Sequence, residues 1–133
     1  MFRQLCLIGL VCLATPTRAQ DQDPLQLLPK NYQLQLDNEY VRVIHVKYGP
    51  REKTPMHAHP VSNPLLIIAL TDEHIRFTLP DGRQIVSKRT RGEPLWFEGA
   101  DRIPQHAVEN LSDEPFEGLR IEIKAKAADK PRQ

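Results

Sequence analysis

Apolar and polar residues alternate along most of this chain with a period of two, the spacing of a β-strand rather than of a helix. The clearest runs are YQLQL at residues 32–36, YVRVIHVKY at 40–48 and LRIEIK at 119–124. The 12 prolines stand mostly between such runs, where they leave the hydrogen-bonded ladder of a strand intact. The pattern therefore predicts an all-β fold, and no segment carries a convincing helical period.

Further short segments complete the set of predicted strands. They are LLIIAL (65–70), IRFTL (75–79), RQIVSK (83–88), LWF (95–97) and QHAVEN (105–110). Asp81-Gly82 separates two of them and is typical of a tight hairpin turn. Eight or nine short strands, with turn signals about every ten residues, are typical of a β-sandwich or a β-barrel.

The first 19 residues have the three-part build of a secretory signal peptide. Arg3 gives a short basic start, residues 5–14 are almost wholly apolar, and Thr17-Arg18-Ala19 forms a small-x-small cleavage pattern. We expect cleavage after Ala19 and a periplasmic or secreted mature protein. The alternative is a retained apolar N-terminal element, although the apolar run is short for a helix that spans a bilayer.

The rest of the chain suits one domain with a single core. We expect a linker over residues 20–30, a β-barrel domain over 31–125 and a disordered tail over 126–133, with no membrane span after processing. Both cysteines, Cys6 and Cys12, lie in the leader, so the mature chain has no disulfide and no thiol ligand.

The charge balance gives the mature chain no electrostatic footprint for nucleic acid. Loss of residues 1–19 removes Arg3 and Arg18 and no acid, which leaves 16 basic against 17 acidic residues. Nucleic-acid binding needs clustered positive charge. A solvated loop explains the dense basic run at 88–91 more simply. We therefore expect no nucleic acid among its partners.

Three of the five histidines form a candidate metal site. His57 and His59, in the segment MHAHP, share one face if the segment is a strand, and two imidazoles at that spacing can converge on one ion. His106 lies in the later strand QHAVEN. Inward positions of distant strands meet near the axis of a small closed barrel. The three residues are therefore the predicted metal ligands, and a surface pair at 57 and 59 is the alternative.

The two histidine segments resemble the two motifs of the cupin superfamily. The matching positions are Gly49, His57 and His59 for the first motif and Gly92, Gly99, His106 and Asn110 for the second. The resemblance covers about residues 40–124 and implies a cupin-type β-barrel, also called a double-stranded β-helix or jelly roll. Asn63 and Pro64 stand where the first motif has a glutamate, and no proline precedes Gly99 in the second.

The resemblance implies a divalent transition metal (Fe, Zn, Mn, Ni or Cu) held by three histidines without a carboxylate. Cupins with such a site include iron-dependent oxygenases that cleave thiols or diketones, so a dioxygenase-like activity is one expectation. Asn63 or water would take the place of the glutamate. Two alternatives stay open: a metal-free cupin that binds a small ligand or a partner protein, and a structural homodimer.

Other polar and aromatic residues are placed by the same strand pattern. The inner wall is expected to include Leu66, Ile68, Phe77 and Trp96, with Arg102 and Gln105 on the approach to His106. We expect His45 on the outer surface and His74 in a turn. Asn110 is expected to bond the backbone at a strand end. Glu98 and Glu109 offer acid or base groups, but no pattern directs either towards the pocket.

Overall fold

The computed structural model describes residues 23–59, 64–98 and 103–124. The predicted leader (1–19) and tail (126–133) lie outside these ranges. Within them the chain forms α1 (Pro24–Leu27) and nine strands: β1 (Tyr32–Asp37), β2 (Val41–Tyr48), β3 (His57–Ala58), β4 (Leu65–Ala69), β5 (Glu73–Thr78), β6 (Gln84–Arg89), β7 (Pro94–Phe97), β8 (Gln105–Asn110) and β9 (Phe116–Ile123). None of the described residues belongs to a helix that is long and apolar enough to cross a membrane.

The strands form two antiparallel sheets that enclose one core. The larger sheet has the order β1-β2-β9-β4-β7, and the smaller has the order β3-β8-β5-β6. The core contains Ile44 and Val46 from the larger sheet and Ile75 and Val108 from the smaller one. The all-β prediction is confirmed, and β8 begins and ends at the residues predicted for it.

The hairpin between β5 and β6 turns at the predicted Asp81-Gly82 pair. Gly82 has a φ of 84°, in the left-handed region that glycine adopts without steric cost. The turn is closed by Leu79 N, which donates to Arg83 O at 2.8 Å. The aspartate carboxylate accepts from the same arginine, which ties the turn to the start of β6.

Strand β9 sets the composition of the barrel interior. Its residues alternate strictly between buried and half-buried positions, so that Phe116, Gly118, Arg120 and Glu122 all face inward. This strand pairs with β2 on one side and with β4 on the other. An arginine and a glutamate therefore lie inside the barrel, in the middle of its larger sheet.

The inner wall differs from the prediction at β4 and β7. Leu65 and Ile67 line the interior where Leu66 and Ile68 were predicted, and Trp96 is 50% exposed. Phe77 lines the interior as predicted. The prediction was wrong because a continuous apolar run such as LLIIAL does not reveal which alternate residues face inward.

The predicted linker contains a short helix, α1. Asp23 caps α1, and its side chain accepts a hydrogen bond from Leu25 N at 3.0 Å. Pro24 is buried, and Leu25 and Leu28 pack against the core. A four-residue helix is too short to show a helical period, so sequence analysis could not detect it. The folded unit therefore starts before residue 31.

Asn110 has the structural role predicted for it. Its side chain is fully buried and donates from Nδ2 to Gly49 O at 2.9 Å and to Glu114 O at 2.8 Å. Its Oδ1 accepts from Ser112 N at 3.0 Å. One amide therefore joins the end of β8 to the loop after β2, two segments that flank the histidines.

We predict that Asn110→Ala lowers the free energy of unfolding by about 2–4 kcal/mol, because buried backbone groups lose their hydrogen-bond partner. Chemical denaturation measures the change. Glu114→Ala is the matched control, since the network uses only the backbone carbonyl of that exposed residue. This control should change stability by less than about 0.5 kcal/mol. Equal losses in the two variants would contradict the role assigned to the Asn110 amide.

Candidate metal centre

The ladder between β3 and β8 brings two of the histidines together. His57 lies directly opposite His106 in the register of these strands, and His59 N donates to Pro104 O at 2.8 Å. The histidines were predicted to meet from distant strands near the barrel axis. The structure shows instead that β3 and β8, although far apart in the sequence, are neighbours in one sheet. Two of the rings are therefore cross-strand neighbours.

The three rings form a compact buried cluster. The ring centroids of His57 and His59 are 5.0 Å apart, those of His57 and His106 are 4.8 Å apart, and those of His59 and His106 are 5.1 Å apart. Each residue offers one ring nitrogen, and these atoms lie within 4.8 Å of one another. None of the three histidines is more than 6% exposed. This cluster could hold a metal ion, and among the described residues no carboxylate belongs to it.

Backbone carbonyls fix the tautomer of two rings. His57 Nδ1 lies 3.0 Å from Pro55 O, and His106 Nδ1 lies 3.1 Å from Ile103 O. A carbonyl oxygen can only accept, so each Nδ1 donates and each neutral ring keeps its lone pair on Nε2. His59 Nδ1 is buried without a hydrogen-bond partner among the described residues. Oriented lone pairs and an unpaired buried nitrogen fit a divalent transition metal.

Burial keeps the three imidazoles neutral. Desolvation is the main cause that lowers the pKa of each ring, and it brings the pKa of His106 down to about 3. The pKa of His59 falls well below its ordinary value. The positive charge of Arg120 adds to the lowering in all three cases. Because only a neutral imidazole binds a metal, the rings need lose no proton before binding at neutral pH.

Two tyrosines that sequence analysis placed only on strands complete the cluster. Tyr32 Oη lies 3.0 Å from His57 Nε2 and 2.5 Å from Tyr48 Oη. Since His57 donates from Nδ1, its Nε2 accepts from the Tyr32 hydroxyl. Burial raises the pKa of Tyr32 to about 12, so this group stays a phenol. A metal on His57 Nε2 would replace this hydrogen bond. The alternation in YQLQL predicted one half-buried face for Tyr32, Leu34 and Leu36. Only Tyr32 is buried, and Leu34 and Leu36 are about half exposed.

A cavity of about 90 Å³ adjoins the cluster and reaches His59 and His106. Its walls are mainly apolar and include Val46, Leu65, Ile67, Ile75, Phe77, Phe97, Ile103 and Phe116. Three charged side chains also line it: Arg120, Glu73 and Arg89. Glu73 and Arg89 pair with each other, with side chains 2% and 6% exposed. The cavity has room for a small organic molecule with few polar atoms.

The other sequence candidates lie away from the cluster or outside the described residues. His45 is half-buried and bonds Glu117 at 3.0 Å. Glu109 pairs with Arg76 and Lys53 rather than with a histidine. Glu98 is exposed. Three candidate positions, Asn63, Gly99 and Arg102, lie outside the described ranges.

We predict that acid destabilises the metal-free fold between about pH 6.5 and pH 3. In this window the unfolded chain protonates a histidine that the folded chain keeps neutral, as the pKa of about 3 for His106 shows. The free energy of unfolding therefore falls as pH falls, by about 1.4 kcal/mol per pH unit for each such ring. Above pH 6.5 these rings contribute no slope. Urea denaturation with chelator present, repeated across this pH range, measures how the free energy of unfolding depends on pH.

A pair of variants isolates the part of the slope due to the buried rings. His106→Gln should have a shallower slope than the wild type, because it removes one of the neutral buried rings. His74→Gln, changed on β5 outside the cluster, is the control that tests whether loss of any histidine alters the slope. An unchanged slope in His106→Gln would show that buried histidines do not control the acid sensitivity.

No protein-family model matches the chain, and the comparison with curated proteins found no match. A solved cupin domain from Bordetella pertussis Tohama I is 31% identical over 71% of this chain and 92% of that domain, with a TM-score of 0.60. The architecture implied by the two histidine motifs is therefore present in a relative at substantial sequence identity.

More distant structures share the fold. A Klebsiella pneumoniae protein with a double-stranded β-helix domain is 14% identical over 84% of this chain and 90% of its own, with a TM-score of 0.52. The polyketide cyclase RemF from Streptomyces resistomycificus is 18% identical over 72% of this chain and 66% of its own, with a TM-score of 0.50. The fold of these proteins and the identity to the Bordetella domain together show that the chain belongs to the cupin superfamily.

Proposed function

We propose that this cupin binds one divalent transition metal and acts on a small molecule in the adjoining cavity. The ligands are Nε2 of His57, Nε2 of His106 and a ring nitrogen of His59. The observation that supports this proposal is the state of the rings. Two of them are locked with their lone pair on Nε2, and the third has a buried nitrogen without a partner.

The donor set narrows the choice of metal. Imidazole nitrogens suit Zn, Cu, Fe and Ni, whereas Mg and Ca prefer oxygen ligands. When bound, such a metal supplies a Lewis acid, or with iron a redox centre for a dioxygenase-like reaction. The apolar cavity wall limits the access of water. Tyr32 places a neutral phenol beside the site, where it can donate a hydrogen bond.

One observation favours a second candidate function, a metal-free cupin that binds a small ligand. His57 Nε2 already accepts a hydrogen bond from the Tyr32 hydroxyl, and the Tyr32 hydroxyl is hydrogen-bonded to Tyr48 Oη. In this arrangement the tyrosines and histidines would form the polar end of a ligand pocket. The two functions differ in whether the protein gains stability from a metal.

We predict that the purified, untagged protein binds about one Zn(II) or Fe(II) per chain. His57→Ala and His106→Ala should each weaken binding about 100-fold or more, because each removes a ligand from a three-donor site. Calorimetric titration and elemental analysis measure affinity and content. At a metal concentration of about 100 times Kd the wild type should gain about 2.7 kcal/mol of stability.

His45→Ala is the matched control for these variants, since His45 lies outside the cluster and bonds Glu117. It should bind the metal as the wild type does. If no transition metal co-purifies and added Zn(II), Fe(II) or Mn(II) leaves the melting temperature unchanged, the metal proposal is wrong. The metal-free function then takes its place.

We also propose that the protein is exported and processed after Ala19. The support is the build of the leader, in which the basic Arg3 precedes an apolar run at 5–14 and a small-x-small site at 17–19. Protein recovered from the native cell envelope or medium should begin at Gln20 in N-terminal sequencing. The control carries Ala19→Arg, which should block cleavage. An uncleaved chain in the cytoplasm of native cells would contradict export.

A further inference from the structure

Arg120 is a buried cation in the middle of the cavity wall. It pairs with Ile44 of β2 and Ile67 of β4 across the larger sheet, and its side chain is 8% exposed. It lines the same cavity as His59 and His106. Because the guanidinium and the two histidines line one cavity, a single small ligand in that cavity could contact both.

The protein satisfies this guanidinium only in part. Arg120 Nε donates to Glu122 Oε1 at 2.9 Å, and this is its one hydrogen bond within the described ranges. Glu122 cannot serve Arg120 alone, because its other oxygen accepts from Arg42 Nε at 2.7 Å. The terminal nitrogens of Arg120 make no hydrogen bond to a described residue. They can therefore donate to a ligand in the cavity that Arg120 lines.

The other charged groups of the cavity offer no free acceptor to the terminal nitrogens of Arg120. Both oxygens of Glu73 are engaged by Arg89, and one also accepts from Ser87 Oγ at 2.5 Å. Arg89 Nη1 is itself buried without a partner among the described residues. A divalent ion on the neutral histidine cluster would add further positive charge. The described groups of the cavity thus combine an excess of donors with a shortage of free anions.

We propose that the ligand of this cavity is a small monocarboxylate with an apolar body, anchored by the terminal nitrogens of Arg120. The planar guanidinium fork matches a carboxylate through two parallel hydrogen bonds. A cavity of about 90 Å³ with mainly apolar walls suits a short carbon chain beyond the carboxylate. This inference deepens the proposed function, on which it rests, by naming the class of ligand at the same site.

Propionate is the probe, and propionamide is its neutral counterpart of nearly equal shape. We predict saturable binding of propionate to the Zn(II)-loaded protein by calorimetry, and much weaker binding of propionamide. Arg120→Gln should weaken propionate binding about 10- to 100-fold, because it removes a charged hydrogen-bond donor. Arg120→Lys should restore part of the affinity, since it keeps the charge but loses the fork.

Arg76→Gln is the matched control, because Arg76 is one-third exposed and pairs with Glu109 away from the cavity. It should bind propionate as the wild type does. In the wild type, propionate should shift the Nε–H resonance of Arg120 in ¹⁵N-edited spectra, a measurement that needs no variant to fold. Equal affinity for propionate in the wild type and Arg120→Gln, or no shift of this resonance, would overturn the inference.

The same titrations separate this inference from the metal proposal. If no Zn(II) binds but propionate still binds in an Arg120-dependent way to the metal-free protein, the metal proposal fails and the carboxylate site stands. If Zn(II) binds at the histidines and propionate binding ignores Arg120, the carboxylate site fails and the metal proposal stands.

Discussion

The register between the segment at 52–59 and strand β8 is the constraint on which the site depends. Thr54 N donates to Val108 O at 2.8 Å, and Val108 N returns a bond to Thr54 Oγ1 at 3.1 Å. Two residues along β8, His57 lies opposite His106. A shift of one residue would turn every second side chain to the other face, which would separate the rings. The backbone ladder thus positions the candidate metal ligands.

The barrel interior is unusual because it buries charge beside the candidate metal ligands. Arg120 and Glu122 form an ion pair whose side chains are 8% and 9% exposed. A buried pair rarely repays its desolvation, so apolar residues would stabilise the barrel at least as well. Such groups are expected where a protein handles a polar ligand. The stability lost by burying them is consistent with a function for the cavity.

The predictions made from the sequence were most accurate for features that depend on short sequence patterns. Period-two alternation identified β1, β2 and β9, and Asp81-Gly82 identified a hairpin turn because glycine accepts a φ of 84°. The histidine spacing indicated His57, His59 and His106, which the fold does bring together. The turn and the His57–His59 pair depend on residues near one another in the chain, whereas His106 was added because inward positions of distant strands meet in a small barrel.

What the sequence by itself determined is the all-β class, most strand positions and the membership of the histidine cluster, because alternation and residue type carry that information directly. Only the tertiary structure decided the inward phase of β4, the pairing of β3 with β8, and the presence of Tyr32 and Arg120 at the site. The physical reason is that a continuous apolar run has no polar residues to show which of its side chains face inward. Contacts between distant strands, moreover, depend on sheet order, which no local pattern encodes.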